Sequence, residues 1–190
     1  MSERSEAAVP EDADLLFATP RLTVPHRWRP ADLEAYAALN ADPQVMVHVG
    51  GPMTREESDG FARYGEQWHQ REGLGLLPVV RRSDGVCLGM CGLHRHRWYP
   101  DDVEVGWRLA RHAWGQGYAT EAATRWLDHA FGPAGLDRVI SITSPENGRS
   151  LAVMLRLGMT RDHERTHDGR GGPVPVVVHV LTRERWITGR

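Results

Sequence analysis

The residues most able to do chemistry in this chain form a glycine-rich turn, Trp114-Gly-Gln-Gly-Tyr-Ala119, ahead of a predicted helix. The helix is predicted from apolar residues three and four positions apart, at Ala119, Ala122, Ala123, Trp126, Leu127, Ala130 and Phe131. The first N–H groups of a helix lack intrahelical partners, and the helix dipole adds partial positive charge there. Gly115 and Gly117 place no side chain between an anion and that backbone. We predict a site for a pyrophosphate-bearing cofactor; the alternative is a turn that only caps the helix.

Three other kinds of site are disfavoured. The chain has no lysine, which excludes a Walker-type phosphate loop. After Gly115 and Gly117, Thr120 stands where a dinucleotide-binding G-x-G-x-x-G would have its third glycine, which argues against an NAD domain. His94-x-His96 has no further ligand at a familiar spacing, so we predict no metal site.

Composition indicates one globular domain, which we place at residues 15–190 after a polar, acidic tail at 1–14 that we expect to be disordered. The chain has 190 residues, 41% of them hydrophobic, and a net charge of −2, so we expect no nucleic-acid partner. No apolar run approaches a membrane span, so no membrane partner is expected either. Cys87 and Cys91 are predicted to be reduced, buried thiols, which suits a cytoplasmic protein.

The elements that must position the turn follow from hydrophobic periodicity and turn residues. Strands are predicted at 21–28, 74–80, 86–93, 103–109, 138–143, 159–166 and 174–183, with loops around Pro43 and at 94–102. The predicted helices begin near Pro30, at a capping box of Thr54 with Glu57, at the glycine turn, and at Asn147. In the last helix we expect Leu151, Met154 and Leu155 to face inward. Hairpins mixed with crossover helices predict an α/β (α+β) fold with a mixed sheet and helices on both faces.

Four stretches of the sequence resemble the GNAT (Gcn5-related) N-acetyltransferases, most closely the branch of the ribosomal-protein N-terminal acetyltransferases. They are Thr19-Pro-Arg-Leu22, Gly106-Trp-Arg-Leu109, Trp114-Gly-Gln-Gly-Tyr-Ala-Thr-Glu-Ala122, and Asn147-x-x-Ser150 followed by Leu157-Gly-Met159. They stand in the family's order, and the resemblance covers the chain from about residue 19 to residue 186. One departure is Trp114, where the superfamily often has Gln or Arg, although Trp is usual in this branch. The resemblance implies a mostly antiparallel sheet that splays between its central strands.

The resemblance also implies acetyl-CoA as the cofactor. The pyrophosphate would bind the turn, and the pantetheine arm would lie along the strand at 103–109, in the gap before the strand at 138–143. Arg111 is a nearby cation that would assist the pyrophosphate, or else a solvated surface residue. The expected cofactor-binding residues are Val105, Trp107, Leu109, Arg111, Trp114, Gly115, Gln116, Gly117, Tyr118, Ala119, Thr120, Asn147 and Ser150.

Acetyl transfer to an amine needs a base, because an ammonium group has no lone pair. We expect Glu104 to be that base, directly or through water, or else to pair with an arginine such as Arg95 or Arg97. Ser150 resembles the residue that assists the departing thiolate. Asn147 would hold the pantetheine amides, or it would only cap the helix in whose first turn Ser150 lies.

An oxyanion donor is expected among the backbone N–H groups of residues 105–107, with a bulge at Gly106 aiming one of them out of the ladder.

The expected acceptor is a primary amine, either a protein N-terminus or a small molecule, attacking directly in a ternary complex. The loops at 40–60 and 94–102 would form its cleft, and either loop histidine could assist deprotonation. The candidate substrate-binding residues are Trp28, His48, His94 and His96. The alternative function is a non-catalytic acyl-CoA-binding sensor or partner module, which would keep the turn and lose Glu104 and Ser150. A homodimer is expected for the branch.

Overall fold

The computed structural model describes residues 14–169 and 172–189. The tail predicted at residues 1–14 lies outside the described residues apart from Asp14, whose carbonyl accepts a hydrogen bond from His26 N–H. The strands are β1 (Leu15–Ala18), β2 (Leu22–Pro25), β3 (Leu76–Arg81), β4 (Cys87–His96), β5 (Tyr99–Leu109), β6 (Arg138–Thr143), β7 (Thr160–Gly169) and β8 (Gly172–Thr182). The helices are α1 (Pro30–Asn40), α2 (Pro43–Met46), α3 (Arg55–Glu72), α4 (Tyr118–Phe131), α5 (Gly148–Arg156) and α6 (Arg183–Thr188).

The strands form one sheet in the order β1-β2-β3-β4-β5-β6-β8-β7. Every neighbouring pair is antiparallel except β5 and β6, which are parallel and pair only at Glu104 and Ile140. The sheet is therefore splayed at its centre, which confirms the predicted mixed, mostly antiparallel architecture.

Side chains alternate across the sheet and divide the core into two layers. On β3, Leu77 and Val79 belong to the core cluster that contains α4, whereas Leu76 and Val80 belong to the cluster that contains residues of α1 and α3. On β5, Val103, Val105 and Leu109 lie in the α4 layer. The even-numbered residues of β5 therefore face the α1 and α3 side, and this arrangement positions the site.

Local sequence signals explain the boundaries of the long helices. The Thr54 side chain accepts from Glu57 N–H while the Glu57 carboxylate accepts from Thr54 N–H, and α3 ends at Gly73 with a left-handed φ of 68°. None of the helices in the described residues is long and apolar enough to cross a membrane.

Cys87 and Cys91 are both buried and free, as predicted. Burial raises the pKa of the Cys87 thiol to about 12 and also raises the pKa of Cys91.

Several predicted boundaries were wrong. The segment 94–102 is not a loop: β4 and β5 extend into a hairpin, where His94 pairs with Glu104 and His96 with Tyr99. The register shifts between those two pairs, so the extra residues on β5 include Pro100, which has no N–H to give to the ladder. The bulge predicted at Gly106 is absent, because Gly106 pairs regularly with Gly92.

Other short elements were missed because they carry too little periodicity. β1 has four residues, and α2 begins at Pro43 after an Asp42 cap where a loop was predicted. The last strand ends at Thr182, whose hydroxyl caps α6. Leu155 does not face inward but is 64% exposed, because the short α5 packs along a narrow stripe centred on Met154.

Candidate active site

The glycine turn presents an open row of backbone donors at the start of α4. Gly115 and Gly117 have φ values of 73° and 81°, a region that disfavours other residues. A Cβ at Gly115 would meet nothing within 4 Å. Among the residues that the structure describes, none accepts a hydrogen bond from the N–H groups of residues 115–120. These donors and the helix dipole form a cradle that fits a pyrophosphate.

A clamp from the second strand holds this turn in place. Arg21 Nε donates to Glu121 Oε2 at 2.7 Å, and Arg21 Nη1 donates to the carbonyl of Gln116 at 2.9 Å. The Thr19 hydroxyl and Arg21 N–H also donate to the Glu121 carboxylate. Burial alone would raise the pKa of Glu121, but these hydrogen bonds hold it below its ordinary value. Two of the four stretches that carry the resemblance therefore contact each other directly.

Sequence reasoning missed the clamp and a second cation at the turn. Arg149, in the first turn of α5, lies over the Trp114 ring with its Cζ 4.2 Å from the centroid. Trp114 is anchored by its Nε1, which donates to Leu109 O at 2.8 Å. The available signal was the position of Arg149 inside the Asn147-x-x-Ser150 stretch.

Arg111, the predicted cationic helper, is engaged elsewhere. Its Nε donates to Asp42 Oδ2 at 2.6 Å and its Nη1 to Gln44 Oε1 at 2.9 Å. These contacts direct Nε and Nη1 of Arg111 toward α2, so its role at the pyrophosphate stays a prediction.

The remaining turn residues frame the cradle. Tyr118 is buried beneath the Arg21 guanidinium, at 4.6 Å from Cζ to the ring centroid. Ala119 and Thr120 are half-buried in the first turn of α4.

The backbone of β5 offers donors toward the gap before β6. Ala110 N–H donates to Leu88 O on β4, and N–H groups alternate sides along a strand. The N–H groups of Val105, Trp107 and Leu109 therefore point toward β6. Since β6 pairs with β5 only at Glu104, those of Trp107 and Leu109 lie beyond the pairing. The side chains of Val105 and Leu109 are buried, and that of Trp107 packs against the same core, so only their backbone is available to a ligand.

Glu104 lies beside this gap and is buried. Its Oε1 accepts from Ile142 N–H on β6 at 3.2 Å, and its Oε2 lies 3.3 Å from His94 Nε2. The second contact has an ion-pair distance without hydrogen-bond geometry, so Oε2 has no hydrogen-bond partner in the described chain. The charged partner of Glu104 is thus a histidine, and not Arg95 or Arg97. Arg95 lies near Glu72, and Arg97 lies over the Trp98 ring.

The two candidate loop histidines share one end of the sheet. The ring centroids of His94 and His96 lie 6.0 Å apart, and His96 lies 4.8 Å from Trp98. Burial lowers the pKa of His96 despite the opposing charge of Glu104. His96 is therefore neutral near pH 7, whereas His94 is the one in contact with the carboxylate.

Asn147 and Ser150 form a compact unit at the start of α5. Asn147 Oδ1 accepts from Ser150 N–H, which is the local capping role. Asn147 Nδ2 donates to Thr143 Oγ1 at 3.0 Å and to Ser150 Oγ at 3.1 Å. Ser150 Oγ is an acceptor in that contact, so its own proton is free to be donated. Because Thr143 follows Ile142 in the chain, this unit lies next to the strand that contacts Glu104.

Two of the predicted substrate-binding residues, Trp28 and His48, do not contact Glu104. Trp28 is buried against Tyr36, with ring centroids 4.5 Å apart, and its Nε1 donates to Leu76 O. His48 lies in the turn that follows α2 and is half-buried. Of the predicted substrate residues, His94 alone contacts Glu104.

Comparison with known proteins agrees with this geometry. The family model of the acetyltransferase (GNAT) domain matches residues 21–160 of the sequence. An acetyltransferase structure from Agrobacterium tumefaciens is 32% identical with a TM-score of 0.73, covering 87% of this chain and 92% of that one. The FsC-acetyl coenzyme A-N(2)-transacetylase of Aspergillus fumigatus is 37% identical over 167 residues, 78% of this chain and 68% of that protein.

The ribosomal-protein-S5-alanine acetyltransferase of Vibrio fischeri shares the fold. Its structure has a TM-score of 0.70 at 17% identity, covering 90% of this chain and 97% of that one. An open anion cradle, a splayed strand pair and the matched family model lead to one conclusion. The chain belongs to the GNAT family and is an N-acetyltransferase.

Proposed function

We propose that the protein transfers the acetyl group of acetyl-CoA to a primary amine by direct attack in a ternary complex. The observation that carries this proposal is the row of unpartnered N–H groups at residues 115–120, since it fits the pyrophosphate of coenzyme A. Arg149, over the Trp114 ring, adds positive charge at the same place. The name of the Aspergillus relative, an acetyl coenzyme A transacetylase, supports this choice of cofactor.

The chemistry we assign to the chain follows from the groups around the gap between β5 and β6. Backbone N–H groups of Trp107 and Leu109 bind the pantetheine arm and the thioester oxygen, on which negative charge develops during attack. One such donor is worth about 3 kcal/mol of barrier. Glu104 Oε2, which has no hydrogen-bond partner among the described residues, accepts a proton from the ammonium form of the acceptor and so frees the lone pair of the amine for attack. Ser150 donates its hydroxyl proton toward the departing thiolate.

The acceptor is a primary amine of a protein N-terminus or of a small molecule. The name of the Vibrio fischeri neighbour gives a ribosomal protein as the acceptor of that enzyme, and the name of the Aspergillus relative gives transfer to a nitrogen, N(2). Buried free thiols support a reducing, cytoplasmic setting. The homodimer stays a prediction, and the molar mass in solution from light scattering would test it.

A thiol-release assay tests the proposed reaction. Acetyl-CoA is incubated with peptides of varied N-terminal residue and with primary amines, and free CoA and the acetylated product are both quantified. We expect equal amounts of the two, each dependent on the amine. CoA release that does not depend on any amine would contradict direct transfer.

A further inference from the structure

Arg108 lies on the same face of β5 as Glu104, four residues further along. Its Nη1 donates to Asn40 Oδ1 on α1 at 2.7 Å and lies 3.9 Å from Met53 Sδ. Its Cζ lies 5.2 Å from the centroid of the Phe61 ring on α3. The guanidinium therefore lies between β5 and the α1–α3 layer, on the side of the sheet where Glu104 meets His94.

This cation has no counter-charge among the described residues. Within residues 14–169 and 172–189, no carboxylate oxygen lies within 4.0 Å of Arg108, and its buried Nε has no hydrogen-bond partner. Two arginines at the starts of α1 and α3 are paired: Arg29 with Asp32, and Arg55 with Glu34 and Asp59. Charges removed from water are normally paired, so a half-buried cation that remains accessible is suited to an anion supplied from outside.

A purely structural role does not need this charge. Asn40 also binds Ser58: its Nδ2 donates to Ser58 Oγ at 2.8 Å, and both residues are buried. The hydrogen bond between Asn40 and Ser58 uses neither the charge nor the donors of Arg108. The positive charge and the planar fork of donors are what an incoming carboxylate would use.

Gly106 lies between Glu104 and Arg108 on this face of β5 and is half-buried. The backbone there is not left-handed, so no conformational need explains the glycine. A Cβ would be 3.7 Å from His94 Nε2 and 3.9 Å from Leu76 Cδ2, which are ordinary contacts. This face of β5 thus carries a base, a residue without a side chain and a cation, over about 13 Å of strand.

We infer that Arg108 binds a carboxylate carried by the acceptor, whose primary amine lies at Glu104. The acceptor class is therefore an amine that also bears a carboxylate, with several bonds between the two groups. This inference rests on the proposed function, because it takes Glu104 as the point of attack.

The test compares acceptors that differ only in charge. One arm uses ω-amino acids of increasing chain length against their neutral carboxamides. The other uses short amidated peptides with Asp or Asn as the second residue, which distinguishes a small-molecule from a peptide source of the carboxylate. The readout is the ratio of kcat/KM for the acid to kcat/KM for the amide, because a change in the folded fraction cancels from this ratio.

We expect the wild type to prefer the acid in one arm by about tenfold or more, as a charge-assisted pair would give. Arg108→Gln, which removes the charge and keeps a polar side chain, should abolish the preference, and Arg108→Lys should keep part of it. The control Arg55→Gln removes a cation that is already paired on the same side of the sheet and should leave the ratio unchanged.

Two results would overturn the inference and leave the proposed function standing. One is an equal kcat/KM for acid and amide in the wild type, and the other is a preference for the acid that survives in Arg108→Gln. If acetyl-CoA binds but no carboxylate-bearing amine is acetylated, the inference is likewise wrong. A protein that does not bind acetyl-CoA contradicts the proposed function itself.

Discussion

The two carboxylate oxygens of Glu104 have different surroundings, and this difference divides their roles. Oε1 is held by Ile142 N–H, which fixes the side chain across the splayed strands. Oε2 lies near His94 without a hydrogen bond. The oxygen that is free to accept a proton is therefore attached to a side chain that is already oriented.

Replacing Glu104 with Gln should lower kcat by about 10²–10⁴-fold, because proton acceptance is lost while the side chain keeps its shape. The affinity for acetyl-CoA, measured by titration, should change little, since the cradle is untouched. Turnover equal to that of the wild type across the accessible pH range would rule out the role as base.

Replacing Ser150 with Ala should slow turnover by about tenfold, through loss of a hydrogen bond to the leaving thiolate. The effect on cofactor affinity should be smaller, because Asn147 keeps its contact with Thr143. Steady-state kinetics with a fixed acceptor separate kcat from KM. An unchanged kcat in this variant would show that Ser150 does not assist the leaving thiolate and is only part of the first turn of α5.

At the residue scale, sequence motifs identified Glu104, Ser150 and the turn glycines as candidates but did not supply their partners. The ties of Arg111 to Asp42 and Gln44, and of Arg108 to Asn40, join residues more than sixty positions apart. Such contacts depend on how α1 and α2 fold over the sheet, which spacing along the chain does not encode.

At the scale of elements, the start of α4 depends on contacts with the loop before β2. Glu121 accepts hydrogen bonds from Thr19 and Arg21, and Arg21 also holds the carbonyl of Gln116. The geometry of the cradle is therefore set partly by residues distant in sequence.

This clamp predicts a pH-dependent contribution to stability. The pKa of Glu121 is lowered in the folded state, so its contribution is present above the pKa of the unfolded chain and is lost as pH falls through the folded value. Because the Arg21–Glu121 pair is partly exposed, we expect it to contribute roughly 1 kcal/mol to the free energy of unfolding at neutral pH. Urea unfolding of the wild type and Glu121→Gln should show a difference at pH 7 that shrinks toward pH 3. A difference independent of pH would contradict the clamp.

Long elements with strong local signals were predicted well, and short ones were not. α3 has a capping box and a terminal glycine, and β6 was predicted at its observed bounds. The tip of the β4–β5 hairpin was predicted as a loop because it is polar and contains Pro100. Its strand structure is tertiary in origin, since the Trp98 ring stacks on His167 at 4.5 Å and the Tyr99 hydroxyl lies 3.1 Å from Nε2 of both His163 and His167.

At the scale of the whole molecule, the proposed function assigns the cofactor to one side of the sheet and the acceptor to the other. The α4 layer carries the cradle, the α1–α3 layer covers Arg108, and the gap between β5 and β6 connects the two. This division lets one strand serve both substrates, with its backbone facing the cofactor and its even-numbered side chains facing the acceptor.

The integrity of this core can be followed through its thiols. Burial raises the pKa of Cys87 to about 12, so its thiolate fraction at pH 8 is about one in ten thousand. An aromatic disulfide reagent should label the native protein more than about a hundredfold more slowly than the urea-unfolded chain. Rapid labelling of two thiols in the native state would contradict the described core.

The binding of acetyl-CoA to variants of the turn tests the central claim most directly. Calorimetric titration compares acetyl-CoA with S-acetylpantetheine, which lacks the pyrophosphate, for the wild type, Gly115→Ala and Gly135→Ala. The two glycines are matched, with φ values of 73° and 67° and nothing within 4 Å of an added Cβ. We predict that the preference of the wild type for acetyl-CoA persists in Gly135→Ala and falls by at least about tenfold in Gly115→Ala. An equal preference in all three proteins, or no binding by the wild type, would contradict the account.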